Sequence, residues 1–334
     1  MPENDLLATT TAILRILHEK IKNKDSVQEL TEQLLRGAEG GLEIADSYGN
    51  WLERFRFHFL WLDQNDYSRA LVRALWLAPR FAPTDFGGSR QRDMGQVWTD
   101  TARGFLGEIA FSNFLKNRFN IETLIDIKRG ELENFLPTDV SKIKKASEDW
   151  RIPNIRLSIK TSKFNGRWLD LPGAQFEHSD VYVMVKLGIL RQHFLAFLKA
   201  ISFLKDKLFV KAKDLGELGE EDAKELWNEI PEFDPIPAYI AGFLDKRTLN
   251  LPIHMIKATL KGRTKKRIVI SQGIGLFSLE NIRNHEDIRG IDPSGSLPIQ
   301  IEPIIASFTG QHFFAHSGGL QFGEDKWMSL IESL

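Results

Sequence analysis

The chain has 334 residues, 42% of them hydrophobic, a formal net charge of −1 and no cysteine. This allows one large domain or two modest ones with a full apolar core, and it excludes disulfides, thiolate metal sites and a uniformly polycationic surface. No run of about 18 apolar residues occurs, so no membrane-spanning helix is expected. The start, Met1-Pro-Glu-Asn-Asp-Leu6, lacks the basic end and apolar core of a secretory signal. A cytoplasmic protein with no membrane partner is expected. The eight histidines are scattered and none pair at a zinc-ligand spacing.

Residues 7–80 read as helices. Ile13, Leu14, Ile16 and Leu17 form an amphipathic pattern, and Ser26 with Glu29 reads as a capping box opening a second helix. Trp51 to Trp61 is aromatic-rich, and Phe86 to Asp93 reads as a loop. A long helix is expected over Met94–Phe119, with Gly104, Gly107 and Glu108 as a small-residue patch carrying one acid. Glycine in a helix interior costs about 1 kcal/mol against alanine, so something is expected to approach the backbone there.

Strands are expected over 122–127, 139–144 and 155–160, with a turn region at Gly130–Pro137. In the last of these, Leu157 and Ile159 share one face; Arg156, Ser158 and Lys160 share the other. Val181–Leu187 reads as a central strand by its β-branched content. Phe194–Phe203 reads as an apolar helix and Asp222–Glu229 as an acidic one; Ala238–Arg247 has helical character. Ile253–Leu260 and Lys266–Ser271 read as a ribbon with a basic tip, the kind of element that enters a DNA groove.

Basic residues are concentrated locally. Lys142, Lys144, Lys145, Arg151, Arg156, Lys160, Lys163 and Arg167 form one run; Lys257, Lys261, Arg263, Lys265, Lys266 and Arg267 form another. Local basic runs on a neutral chain suit a nucleic-acid cleft.

The order Gly104-Phe-Leu-Gly-Glu108 on a helix, Pro137-Thr-Asp139 at a strand start, and Ser158-Ile-Lys160 on a strand resembles the PD-(D/E)xK nuclease superfamily, the restriction-endonuclease-like fold. The resemblance covers about 100 residues, from Trp98 to Leu187. It implies an α/β fold: a helix plus a central mixed sheet at residues 91–205. A helical N-terminal region (1–90) would precede this core, and a C-terminal α+β extension (206–334), packed on the core and touching DNA, would follow it.

The resemblance further implies a Mg²⁺-dependent endonuclease on double-stranded DNA, with a type II restriction enzyme as the leading subclass and a homodimer as the assembly. A repair or recombination nuclease, or a nucleic-acid-binding protein without catalysis, are the alternatives. Asp139 would be the central metal ligand, with the Ile159 backbone carbonyl and Glu108 completing the set, and Lys160 would orient the attacking water. The position two before the lysine is usually acidic in the family and here is Ser158. Glu108 or Glu177 would then supply the missing charge, and Asp149 is the alternative to Asp139. Lys163, Arg167, Lys261, Arg263, Lys265 and Lys266 are the expected DNA contacts.

Overall fold

A computed structural model of the chain describes residues 2–45, 47–81, 93–126, 138–146, 148–302 and 310–334. The loop expected at Phe86–Asp93, apart from Asp93, and the turn expected at Gly130–Pro137, with Pro137 itself, lie outside them. The fold is mixed α/β.

The N-terminal segment forms helices α1 (Pro2–His18), α2 (Lys24–Gly40) and α3 (Tyr48–His58), strand β1 (Phe59–Leu62) and helix α4 (Gln64–Phe81). Ser26 does not open α2. Asn23 is the cap, its side chain accepting from the Ser26 N–H at 2.9 Å. The aromatic run divides: its first half is α3, and its second half alternates as β1 because Leu60 and Leu62 are drawn into the core. Helix α5 (Met94–Phe119) has the expected bounds. Asp93 caps its start, and Asn120 ends it in the left-handed conformation at φ 55°.

Next come β2 (Ile121–Ile125), β3 (Val140–Lys145), β4 (Leu157–Lys163), β5 (Trp168–Pro172), the short helix α6 (Gly173–Phe176) and β6 (Val181–Leu187). A helical lobe follows: α7 (His193–Ala200), a π-helical turn (Leu204–Phe209), α8 (Val210–Asp214) and α9 (Glu220–Glu229). Then come β7 (Ile236–Asp245), the ribbon β8 (Ile253–Lys261) and β9 (Arg267–Phe277), α10 (Leu279–Asn284), α11 (Glu286–Ile291), β10 (Ile299–Ile301), β11 (His312–His316) and α12 (Glu324–Ser333).

The central sheet has the order β1-β7-β6-β4. β4 and β6 are parallel, while β7 is antiparallel to both its neighbours, β6 and β1. The antiparallel pair β2–β3 is a separate two-stranded sheet that touches the β4 edge at one backbone bond, Asp139 N donating to Leu157 O at 2.7 Å, and β3 bridges the connection to β4 where Ile143 and Arg151 exchange backbone bonds. The segment expected to be helical at Ala238–Arg247 is mostly the strand β7, with all ten residues of that strand buried between β1 and β6. Gly242 serves close packing there, since a Cβ at that position would fall 2.5 Å from Gln321 O.

One face of the sheet presents Leu157, Ile159, Val181, Val183 and Val185 to α4, α5 and α12. The other presents Tyr182 and Met184 to α1–α3 and to a second sheet, where Leu171, Phe313 and Ala315 meet them. That second sheet runs β10-β9-β11-β5, with β8 along the remaining edge of β9.

Lys186, near the end of β6, faces this second layer at 1% exposure. Its ammonium lies 2.5 Å from Glu43 Oε1 and 3.2 Å from Ser317 Oγ. Trp51 Nε1 and the Tyr239 hydroxyl donate to Glu43 Oε2 at 3.1 and 2.9 Å. Burial acts to raise the Glu43 carboxyl, but Lys186 and Arg54 more than offset it and hold the group at about 2, below its ordinary 4.5. On the other face, Trp327 Nε1 donates to His58 Nε2 at 2.7 Å, fastening α12. Burial lowers His58 to about 4.

Two outcomes are expected. Lys186→Met leaves the Glu43 charge buried without its partner, and urea unfolding should show a loss of about 3–5 kcal/mol. Both His58 and Glu43 have folded-state pKa values below their ordinary ones, so their contributions are complete above the ordinary values and are lost on acidification. The urea midpoint should therefore start to fall below about pH 6.5, where the imidazole of the unfolded chain charges and the buried His58 does not, and fall further between about pH 4.5 and 2, where the same holds for protonation of Glu43.

Candidate active site

Strand β4 organises the site. Its β3 edge meets Thr138 and Asp139: Leu157 N donates to Thr138 Oγ1 at 3.0 Å, and Leu157 O accepts from Asp139 N. Two residues on, Ile159 N donates to Asp139 Oδ2 at 2.6 Å. Because the N–H and C=O of one strand residue point to the same side, the Ile159 carbonyl faces the same edge as the Asp139 carboxylate. Asp139 is 9% exposed and Ser158 likewise 9%.

Lys160 and Ser158 lie on the face of β4 opposite Ile159. The Lys160 amine donates to Gln175 Oε1 on α6 at 2.9 Å. Glu108 lies on the other side. It is on the same face of α5 as Gly104 and Gly107, and that face meets Thr161 of β4. Glu108 is 5% exposed, and its charge bears on Arg73 of α4, whose guanidinium burial pushes down and Glu108 raises. The structure thus brings Asp139, Ile159 and Lys160 to one stretch of strand and places Glu108 across the sheet from the Lys160 side chain.

The alternatives are placed elsewhere. Asp149 is exposed in the connection between β3 and β4, beyond the Ile143–Arg151 bridge. Ile143 itself is four residues along β3 from Asp139, or about 13 Å at strand rise. Glu177 is exposed just past α6, on the Lys160 side of the sheet.

A carboxylate and a backbone carbonyl on one edge are oxygen donors, the kind a hard cation such as Mg²⁺ takes. Among the described residues, no three His, Cys, Asp or Glu side chains group as a metal cage.

The expected DNA contacts lie in four settings. Arg263, Lys265 and Lys266 are exposed on the tip of the β8–β9 ribbon, as the sequence predicts for this hairpin. Lys261 pairs with Glu302 at 3.0 Å. Arg167 is half-buried against Gly40 at the carboxyl end of α2, where a cation meets the helix dipole. Lys163, the last residue of β4, is exposed.

Comparison with family models, curated proteins and solved structures gives no match to this chain. No helix among the described residues is long and apolar enough to cross a membrane.

Gly107 and Gly104 separate two reasons for a helix glycine. A Cβ at Gly107 would fall 2.0 Å from Thr161 Oγ1 and 3.1 Å from its Cβ, whereas one at Gly104 meets nothing within 4 Å. Gly107→Ala should destabilise the chain by about 1–3 kcal/mol through overpacking. Gly104→Ala should be neutral or stabilise by up to about 1 kcal/mol. Urea unfolding of the two variants side by side reads the difference.

Proposed function

We propose that the chain is a Mg²⁺-dependent endonuclease of the PD-(D/E)xK type that hydrolyses phosphodiester bonds in double-stranded DNA, with a type II site-specific enzyme as the leading subclass. The observation that carries this reading is the Asp139 carboxylate held 2.6 Å from the Ile159 N–H, one residue before Lys160. It is supported by the series of α5, three strands β2–β3–β4 and the parallel strand β6, the helix–strand order that the resemblance requires.

Mg²⁺, when bound, polarises the phosphate and lowers the pKa of a coordinated water. Asp139 and the Ile159 carbonyl would hold it through oxygen. Lys160 would offset negative charge on the phosphate and position the water. Gln175, bonded to the Lys160 amine, fixes where that amine points. Ser158 adds a hydroxyl and no charge, so any second acid must come from elsewhere in the chain. Glu177 is on the Lys160 side, and Glu108 is on the opposite side of the sheet, beside Arg73.

The basic ribbon tip would enter a DNA groove, and a homodimer would place one such site on each strand of a palindrome. A nucleic-acid-binding protein without catalysis is the second reading, favoured by Ser158 at the usual acidic position.

Incubation with a long unmethylated DNA should give discrete fragments with Mg²⁺ and none with EDTA. Lys160→Ala and Asp139→Asn should each lower the cleavage rate by at least about 100-fold. Intact DNA that is still bound would move the conclusion to the non-catalytic reading, and intact DNA with no binding would remove both.

A further inference from the structure

We infer that a cleft at the carboxyl ends of β4 and β6 is an anion site that holds a backbone phosphate of the DNA, beside the bond at which Lys160 would act. The identity of the ligand rests on the nuclease reading; the site itself rests on the following geometry.

β4 and β6 are parallel and end together, Lys163 opposite Leu187. The crevice outside the carboxyl ends of parallel strands is where open α/β sheets bind ligands. Here it is a cleft of about 220 Å³. Three cations line it from three separate elements: Arg103 from α5, Lys163 from the end of β4, and Arg191 from the connection between β6 and α7. The Thr161 and Ser162 side chains line it as well, and Leu190 forms part of the apolar wall. No carboxylate is among the described lining residues.

Three like charges around one small cleft repel one another, and an anion between them reverses the sign of that energy. Asp100, one turn before Arg103, pairs with it at 2.7 Å from its Nη1. That pair is exposed on both sides, so it is worth little and leaves Arg103 able to turn to a stronger acceptor. Two guanidiniums and an ammonium suit a phosphate: the guanidiniums offer paired N–H donors and the lysine a point charge.

The cleft is not the place where Lys160 works. Lys163 is three residue steps past Lys160, about 10 Å along the strand. The Lys160 side chain also leaves the opposite face, toward Gln175. The cleft therefore suits a phosphate adjacent to the cleaved one.

The test uses the full chain and Arg103→Gln/Arg191→Gln, with circular dichroism confirming that the variant folds. Calorimetric titration with inorganic tripolyphosphate should show one site on the wild type and binding at least about tenfold weaker on the variant. Titration of a DNA duplex without Mg²⁺ over a range of salt should show the slope of log K against log salt fall in magnitude by about 1.8, for two lost phosphate contacts. Arg103→Lys/Arg191→Lys should restore most of that slope. Lys160→Ala should keep the tripolyphosphate site. Equal tripolyphosphate affinity in wild type and Gln variant overturns the cleft as an anion site. DNA that is cleaved with an unchanged slope overturns the cleft as a DNA contact and leaves the nuclease reading standing. Tripolyphosphate held at the cleft by a chain that neither binds nor cuts DNA overturns the nucleic-acid ligand and the nuclease reading together, while the anion site stands.

Discussion

The buried pairing of Lys186 with Glu43 is the constraint on which the layering depends. Two opposite charges are taken out of water at the interface between the central sheet and the second layer, each at 5% exposure or less. Such a pair is tolerated only when its remaining hydrogen-bonding capacity is filled. The groups that fill it come from separate parts of the chain: Trp51 of α3, Tyr239 of β7 and Ser317 after β11. Arg54 adds its charge beside Glu43 and donates to Ala241 O at 2.5 Å and to Ser317 O at 3.4 Å. A one-residue slip of β6 or β7 would turn Lys186 or Tyr239 to the other face and leave a charge stranded. The backbone near the pair is shaped to match. Gly41 sits where a Cβ would fall 2.0 Å from Ser317 Oγ, and Gly318 would meet Leu42 O at 2.0 Å. Two turns from distant parts of the chain can touch there because neither carries a side chain.

Much of the central architecture was legible because it repeats with a clear period. α5 and β6 have the bounds their apolar pattern predicts, since each buries an unbroken stripe or run. β4 starts two residues later than read, at Leu157, and continues through Thr161 and Ser162 to Lys163; Ser158 on its polar face is buried like its apolar neighbours. β7 was not legible. It is buried on both faces, so it has no alternation to show. β1 was hidden inside an aromatic run whose helical first half carried the stronger signal.

The candidate site was legible in part for a different reason. Asp139 and Lys160 stand out by their order along the chain, and the fold sets Asp139 against the residue before Lys160. The partner of Glu108 could not be read: Arg73 is 35 residues upstream, and only the packing of α4 on α5 brings it near. Lys186 gave no signal because one lysine near the end of an apolar strand looks like an edge. Arg103 and Arg191 gave none because each, alone, resembles a solvated surface charge; their convergence with Lys163 is a property of the fold.

The contact between Gly107 and Thr161 has a consequence for the cleft. Arg103 stands one helical turn before Gly107, and Lys163 two residues after Thr161. The touching backbone of α5 and side chain of β4 therefore set the distance between those two banks, and a missing methyl group at position 107 fixes that width. The banks are preorganised by packing, so capture of an anion between them would consume rotamer freedom of long side chains and little backbone freedom.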